Sequence, residues 1–284
     1  MKSCRYGKKM KMLPLINLGN LRVTRLILGG NPFSGFSHQT PAKDREMLDY
    51  YKVERIKETF RRAEASGINT VILRVDAFIL RLLREYKNEG GNLQWIAQVA
   101  TDAAEGWEAG FEQAVASGAK ACYLHGAELD NLYQEKNAGK LVKIVNSVNS
   151  LGVPIGLAGH DPQGHIWAQE LDIPIAFHVV CFYNCGSIHA GKGERFKPED
   201  PPAAVDVIRR IRKPCIGYKI MGAGRTEARK AFQFAFANIK PADCVNVGMY
   251  RGDNDKMVEE NAAMVRDILA NLSVTKKAEE KGPA

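Results

Sequence analysis

Hydrophobic residues along the chain gather in eight short runs that are separated by segments of helical length. The runs span residues 25–30, 69–74, 93–100, 121–126, 154–161, 176–184, 214–221 and 244–250. Apolar and polar residues do not alternate cleanly within them, which is typical of strands covered on both faces of a parallel sheet. The pattern therefore predicts eight buried parallel strands.

The segments between the runs carry apolar residues at spacings of three and four, which predicts amphipathic helices. The predicted helices are Val53–Ser66, Asp76–Asn88, Ala103–Ser117, Ala138–Ser150, Ala203–Arg212, Glu227–Asn238 and Asp255–Asn271. Gly67, Gly118 and Gly152 follow three of them, where glycine ends a helix in the left-handed conformation. Eight strand–helix repeats predict an α/β fold, a single (β/α)8 TIM barrel. A doubly wound open sheet is the alternative, disfavoured because no Gly-x-Gly-x-x-Gly follows the first strand.

Composition and length agree with one globular domain. The chain has 284 residues, of which 45% are hydrophobic and 25% charged, and no linker rich in Pro, Gly or Ser divides it. The prediction is one barrel domain over 1–284, with a basic tail at 1–12 and a charged, frayed tail at 276–284. Neither a bilayer-length apolar run nor a secretory signal is visible, which predicts a cytoplasmic protein without a membrane partner.

Net charge bears on the binding partners of the protein, and cysteine content bears on its disulfides. The net charge is +8, and part of it lies in the first twelve residues. We interpret this cluster as a solvated tail, because no nucleic-acid-binding motif accompanies it, and we expect no nucleic-acid partner. The six cysteines are Cys4, Cys122, Cys181, Cys185, Cys215 and Cys244. Four of them fall inside strand-like runs, which predicts reduced, buried thiols rather than disulfides.

Several segments resemble a known family. These segments are PLINLGNLRVTRLILGGNPFSG, ASGINT at 65–70, YLHG at 123–126, PIGLAGHDP and GMYRGDNDKMVEENAAMV. Together they resemble the opening hairpin and first strand, later strands, cofactor loop and final helix of the aldo/keto reductases. The resemblance implies a TIM barrel preceded by a short N-terminal hairpin.

The activity of that family implies an Asp and a Tyr after strand two, a Lys on strand three and a His on strand four. Here these positions fall at Ile72, near Ala77, at Gln98 and at His125, so that only the histidine is kept. The nicotinamide contacts implied by the resemblance fall at Ala158, Gly159 and Val180. Without the acid, no group protonates a developing alkoxide. The chain therefore resembles an uncharacterised branch of this superfamily, and NADP is disfavoured as its cofactor.

Three basic residues at predicted strand ends are the catalytic candidates, because barrel active sites form at the carboxyl ends of the strands. His125 ends strand four, His160 ends strand five and Lys219 ends strand seven. His125 is the candidate acid/base, although it could simply cap the core. His160 would assist it or bind metal, and Lys219 would stabilise negative charge, act as a Schiff-base nucleophile or merely extend to solvent.

Other ligands remain open at the sequence level. A divalent metal on the two histidines would need a third ligand, for which Asp76, Glu128 and Cys181 are the candidates. Gly222, Gly224 and Arg225 could hold an anion or a phosphate, or form an ordinary tight turn.

Polar residues at other strand ends are the candidate substrate-binding groups. They are Asn31, Arg74, Asp76, Gln98, Tyr183 and Asn184. We expect an apolar wall from Phe33, Phe36 and Tyr183. Asp161 and Pro162 are expected to begin a helix, with His165 on its surface. Such a set of polar groups favours a small oxygen-rich substrate.

The sequence supports three hypotheses. The first is an enzyme acting on a small sugar-like or carbonyl substrate by acid/base chemistry, of lyase, isomerase or hydrolase type. The second is a divergent NADP-dependent oxidoreductase that grips its cofactor with residues 222–225 and 248–254. The third is a non-catalytic barrel that binds a metabolite.

Two connections are unusually long, 31–52 and 184–202, and both follow strands. The second is predicted to be a mobile lid, with a passive loop or an oligomer contact as the alternative.

Overall fold

The eight apolar runs form eight parallel strands that close into a barrel in the computed structural model. The structure describes residues 12–100, 106–184 and 196–279, with side chains to residue 274. The barrel strands are β3 (Leu26–Gly29), β4 (Thr70–Arg74), β5 (Gln94–Val99), β6 (Ala121–Leu124), β7 (Ile155–Gly159), β8 (Phe177–Cys181), β9 (Cys215–Tyr218) and β10 (Cys244–Gly248). Each pairs with the next along the chain, and β10 closes on β3. The predicted TIM barrel is confirmed.

Helices surround this sheet. They are α1 (Pro41–Tyr50), α2 (Val53–Ala65), α3 (Ala77–Asn88), α4 (Gly106–Ala116), α5 (Gly126–Gln134), α6 (Ala138–Ser150), α7 (Pro162–Glu170), α8 (Asp200–Arg210), α9 (Ala228–Asn238) and α10 (Met257–Glu279). The sequence did not predict α1 or α5. Helix α1 lies in the long connection after the first barrel strand and buries only Met47, so its periodic apolar signal is weak.

Local chemistry explains where several helices begin and end. The Asp161 carboxylate accepts a hydrogen bond from the backbone N–H of Gln163, and Pro162 is the first residue of α7, as the sequence predicts. The Asp76 side chain caps α3 in the same way, accepting from Ile79 N. Gly67, Gly118 and Gly152 have positive φ angles at the predicted helix ends.

The predicted hairpin is present as β1 (Leu15–Leu18) and β2 (Leu21–Thr24), which pair antiparallel. The apolar residues of the hairpin form one cluster with apolar residues inside the barrel. The hairpin therefore closes the N-terminal end of the barrel. A second, larger core lies between the sheet and the helices. The open end of the barrel is therefore the one at the carboxyl ends of the strands.

One sequence expectation is corrected here. Phe33 does not form a wall at the barrel mouth; it is 2% exposed and packs in the outer core, with its ring edge-on to Tyr51 and Phe60. Helix α10 continues to Glu279 and so includes residues 276–279 of the predicted tail, which stays a prediction. Aromatic side chains next to Gly or Pro carry no signal that separates the core from the mouth.

The four cysteines within the described residues, Cys122, Cys181, Cys215 and Cys244, are buried free thiols, as predicted. Burial raises the pKa of Cys122 and Cys215 to about 12, so these two thiols stay protonated. Cys4 and Cys185 lie outside the described residues. A bilayer-spanning helix is absent from the part of the chain that the structure describes.

Candidate active site

The interior of the barrel changes from apolar to polar toward the mouth. Ile72, Ile96, Ala121, Ala158, Val179, Ile216 and Cys244 form the apolar interior layer. Because alternate strand residues face the same way, the next inward residues lie one layer higher. They are Arg74, Gln98, Tyr123, His160, Cys181, Tyr218 and Asn246. The mouth therefore has a floor of hydrogen-bonding side chains.

His160 is held by a buried carboxylate. Its Nδ1 lies 2.8 Å from Oδ2 of Asp130 on α5, and the two side chains are 9% and 4% exposed. The backbone N–H groups of His160 and Asp161 both donate to Oδ1 of Asp130, at 3.0 Å. Burial opposes ionisation of Asp130, but these hydrogen bonds outweigh it and hold its pKa below the ordinary value. The ionised carboxylate must accept from Nδ1–H, so the neutral imidazole carries its basic lone pair on Nε2.

His125 has the opposite tautomer. It precedes α5, and its Nδ1 accepts a hydrogen bond of 3.3 Å from the backbone N–H of Ala127. Nδ1 is therefore unprotonated, and the neutral ring carries its proton on Nε2. The His125 and His160 rings lie 6.5 Å apart between centroids. The pair combines a donor nitrogen on His125 with an acceptor nitrogen on His160, which is the combination that acid/base chemistry needs.

Gly126 keeps space open beside His160. A Cβ on residue 126 would lie 3.0 Å from Cε1 of His160 and 3.4 Å from the Tyr218 hydroxyl. We expect Gly126→Ala to tilt the His160 ring away from Asp130, and to change the free energy of unfolding by less than about 1 kcal/mol, because alanine favours the helix. Nitrogen-15 NMR of the imidazole should then show a mixture of tautomers.

Gly139→Ala is the matched control for that substitution. Gly139 is also in the first turn of a helix, and a Cβ there meets nothing within 4 Å. The control should leave the His160 resonances unchanged. An unperturbed His160 tautomer in Gly126→Ala would show that the gap is not needed for the His160–Asp130 geometry.

Lys219 follows β9 with a φ of +55°, a conformation that a non-glycine residue rarely adopts. Its ammonium lies 5.8 Å from the centre of the Tyr218 ring, and it has no hydrogen bond or ion pair with any described residue. His38 lies close to it, and burial together with Lys219, His160 and Arg225 lowers the pKa of His38 to about 3. The structure thus brings Lys219, His38 and the two site histidines to one mouth, where His38 stays neutral.

The turn after Lys219 closes one side of this mouth. Gly222, Ala223 and Gly224 all have positive φ angles. The Arg225 guanidinium donates to the carbonyls of Gly222, at 2.7 Å, and His38, at 3.3 Å. The amide of Gln39 donates to the Ala223 carbonyl at 2.7 Å. The turn is therefore fixed to the connection after β3.

The remaining candidate substrate-binding residues lie around the same rim. Arg74 pairs with Asp76 at 3.1 Å and lies 5.4 Å from the exposed Phe36 ring. Asn31 is exposed and lies 3.1 Å from His38 between side-chain nitrogens. Gln98 is half-buried in the polar layer.

On the opposite side of the rim, Tyr183 stacks on Phe196 at 4.7 Å. The Asn184 side-chain oxygen is buried and has no hydrogen-bond partner among the described residues. Residues 185–195 of the predicted lid lie outside the described residues.

His165 corrects another expectation. It does not lie on the surface of α7 but is 0% exposed, with Nδ1 3.0 Å from Nδ1 of His178, which is 1% exposed. Its Nε2 lies 3.4 Å from the Gly159 carbonyl. The sequence misplaced it because α7 directs this residue inward, against the outer face of β7 and β8.

As for the metal alternative, the described residues contain no group of three His, Cys, Asp or Glu side chains arranged to hold an ion.

Sequence reasoning missed Asp130 and Tyr218. Tyr218 had a usable signal, since it lies two residues after Ile216 and so shares its inward face. Asp130 had none, because it lies within the unpredicted helix α5 and meets His160 only through the tertiary fold.

These observations define a class of protein: a (β/α)8 barrel with a histidine-bearing polar site at its C-terminal mouth. No family model matches the sequence, and no curated protein matches it significantly. A solved structure from Pseudomonas aeruginosa, provisionally assigned as an aldo-keto reductase, matches with a TM-score of 0.63 and 16% identity, covering 93% of this chain and 99% of that chain. An aldo-keto reductase from Bacillus halodurans has a TM-score of 0.55 and 12% identity, with coverages of 92% and 96%.

A dihydropteroate synthase from Xanthomonas albilineans matches at a TM-score of 0.54 and 13% identity, covering 92% of this chain and 98% of that chain. At these identities the matches concern the fold. The chain has an aldo/keto reductase-like TIM-barrel fold, as the resemblance implies.

The described residues fit a nicotinamide cofactor poorly. Arg251, in the loop that resembles the family's cofactor loop, is 4% exposed and pairs with Glu58 and Asp255. Arg225 is committed to backbone carbonyls. A Cβ on Gly222 would overlap the Phe196 ring, so that face of the turn is covered. Of the cations near the mouth and in this loop, Arg225 and Arg251 are therefore engaged within the protein rather than presented to a dinucleotide phosphate.

Proposed function

We propose that this barrel is an enzyme that transfers protons on a small oxygen-rich substrate, of sugar-like or carbonyl type, bound at the mouth. The observation that carries the proposal is the contact between His160 and the ionised Asp130. A buried carboxylate that fixes one tautomer and stabilises the imidazolium gives a histidine the properties of a general base.

The neighbouring groups supply complementary roles. His160 accepts the proton through Nε2, and His125 donates a hydrogen bond to a substrate oxygen through Nε2–H. Lys219 attracts a negative charge on the substrate. Arg74, Gln98, Asn31, Asp76, Tyr183 and Asn184 bind substrate hydroxyl or carbonyl groups around the rim. This division makes His160 the base, although the sequence alone favoured His125.

The competing functions are separated by one comparison. Glycolaldehyde, dihydroxyacetone and hydroxypyruvate are incubated with the protein in D2O, and loss of the carbon-bound proton signals is followed by proton NMR. A parallel incubation follows NADPH oxidation with the same compounds. Proton exchange that needs His160, and is lost in His160→Asn, supports the proposal. Hydride transfer without exchange would establish the oxidoreductase alternative.

The control for this comparison is His165→Gln, which removes an imidazole that lies behind the sheet and is not exposed at the mouth. It should keep exchange at the wild-type rate at neutral pH. Binding of the compounds without either reaction would establish the non-catalytic barrel.

A further inference from the structure

The Tyr218 hydroxyl faces His160 across the gap that Gly126 leaves open. The point at which a Cβ of residue 126 would lie is 3.0 Å from Cε1 of His160 and 3.4 Å from the Tyr218 hydroxyl. The two ring centroids are 6.0 Å apart. A separation of this order leaves room between the two rings for a carbonyl group and the carbon beside it.

The environment of Tyr218 keeps its hydroxyl neutral. Burial, with smaller contributions from Cys181, Asp130 and Tyr123, raises the pKa of this phenol well above 10. The hydroxyl has a long hydrogen bond to the Gly159 carbonyl, at 3.4 Å, and a second one with the Cys181 thiol, which is a weak partner, so its proton is held only weakly by the protein. A protonated phenol with a weak internal partner is suited to donate to a stronger acceptor.

We propose that Tyr218 is a second catalytic residue, which donates a hydrogen bond to the carbonyl oxygen of a substrate while His160 removes a proton from the neighbouring carbon. The proposal rests on the proposed function and names its substrate class: aldehydes or ketones that carry a hydrogen on the carbon beside the carbonyl. Glycolaldehyde and dihydroxyacetone are the simplest hydroxylated members of that class.

The proton and each electron pair in this step have a defined destination. His160 Nε2 takes the proton, the carbon–hydrogen electron pair becomes the new carbon–carbon double bond, and the carbonyl π pair moves to oxygen. Tyr218 holds this oxyanion with its O–H and does not need to ionise, and such preorganised donors account for much of the rate in comparable sites. Return of the proton from the imidazolium to the same carbon regenerates the carbonyl compound, whereas its return to the former carbonyl carbon, with the proton of the neighbouring hydroxyl passing to the first oxygen, forms the isomer.

Tyr218→Phe tests the donor directly. Removal of the hydroxyl should slow exchange of the carbon-bound proton in D2O by about a hundredfold or more. It should weaken binding of glycolohydroxamate, whose anion mimics the enediolate, by about tenfold or more in isothermal titration. Binding of the neutral glycolamide should change by less than about threefold. Tyr133→Phe is the matched control, because Tyr133 lies on α5 with its ring against Trp167 and Lys136.

The outcomes separate this inference from the function on which it rests. If Tyr218→Phe exchanges protons and binds the hydroxamate as the wild type does, while His160→Asn has lost exchange, Tyr218 is not the oxyanion donor and the base assignment stands. If the wild-type protein neither exchanges these carbonyl compounds nor prefers the hydroxamate over the amide, the substrate class is wrong. Near-ultraviolet circular dichroism confirms that the variants are folded.

Discussion

Asp130→Asn is expected to lower the rate of proton exchange by about 10²–10⁴-fold while the protein stays folded. The asparagine oxygen still accepts from the backbone N–H groups that now bind Oδ1 of Asp130. Its amide N–H, however, faces Nδ1 of His160 and favours the tautomer with the proton on Nε2. The base is then blocked at the nitrogen that must accept the substrate proton.

The pH dependence distinguishes this positioning effect from a general structural one. An adjacent carboxylate stabilises the imidazolium, so its removal should move the acidic limb of the rate profile to lower pH. Asp161→Asn is the control, because it removes the same charge one residue from His160 and asparagine caps α7 equally well. An Asp130→Asn variant with an unshifted pH–rate profile and an exchange rate within threefold of the wild type would falsify the role of Asp130 in positioning His160.

Acidification from pH 6.5 toward pH 4 is expected to destabilise the protein through His165 and His178. Burial lowers the pKa of His165 to about 4 and that of His178 well below its ordinary value of 6.5. Both rings are therefore neutral in the folded state, whereas the unfolded chain binds protons below pH 6.5. The stabilisation that comes from keeping both rings neutral is complete above pH 6.5. It is lost as the pH falls toward 4, by up to about 3 kcal/mol for His165.

The contact between the two rings shows why a second proton on His165 is unfavourable. His165 Nε2–H donates to the Gly159 carbonyl, so its Nδ1 must accept from Nδ1–H of His178. Protonation of His165 at Nδ1 places two N–H groups against each other in a dry environment. Urea unfolding between pH 7.5 and 4.5 measures the loss.

His178→Asn supplies the comparison for this second prediction, because its amide can donate to His165 Nδ1 without titrating. Its stability should fall less steeply with acid than that of the wild type. His38, whose pKa is also depressed, contributes with the same sign in this pH range, so His38→Asn should flatten the curve further. Parallel curves for the wild type and His178→Asn would show that the buried pair does not control acid stability.

The sequence predicts the strands of the fold better than it predicts the contacts within the site. The eight strands could be located because each is covered on both faces and therefore reads as an apolar run. Helix α5 could not, because its nine residues bury a mixture that includes Gly126 and Asp130 and leave little apolar periodicity. His160 was selected from its strand end, but its partner was invisible because Asp130 is thirty residues away in the chain.

By itself, the sequence determined the barrel, the position of its mouth and the strand ends that bring His125, His160 and Lys219 there. Those features follow from local periodicity and from the rule that parallel strands present their carboxyl ends at one edge. Only the tertiary structure decided the tautomers of the two histidines, the ionised state of Asp130, the inward position of His165 and the approach of Tyr218 to His160. Each depends on which groups meet after burial, because hydrogen bonds and desolvation between distant segments set protonation, and no residue carries that information alone.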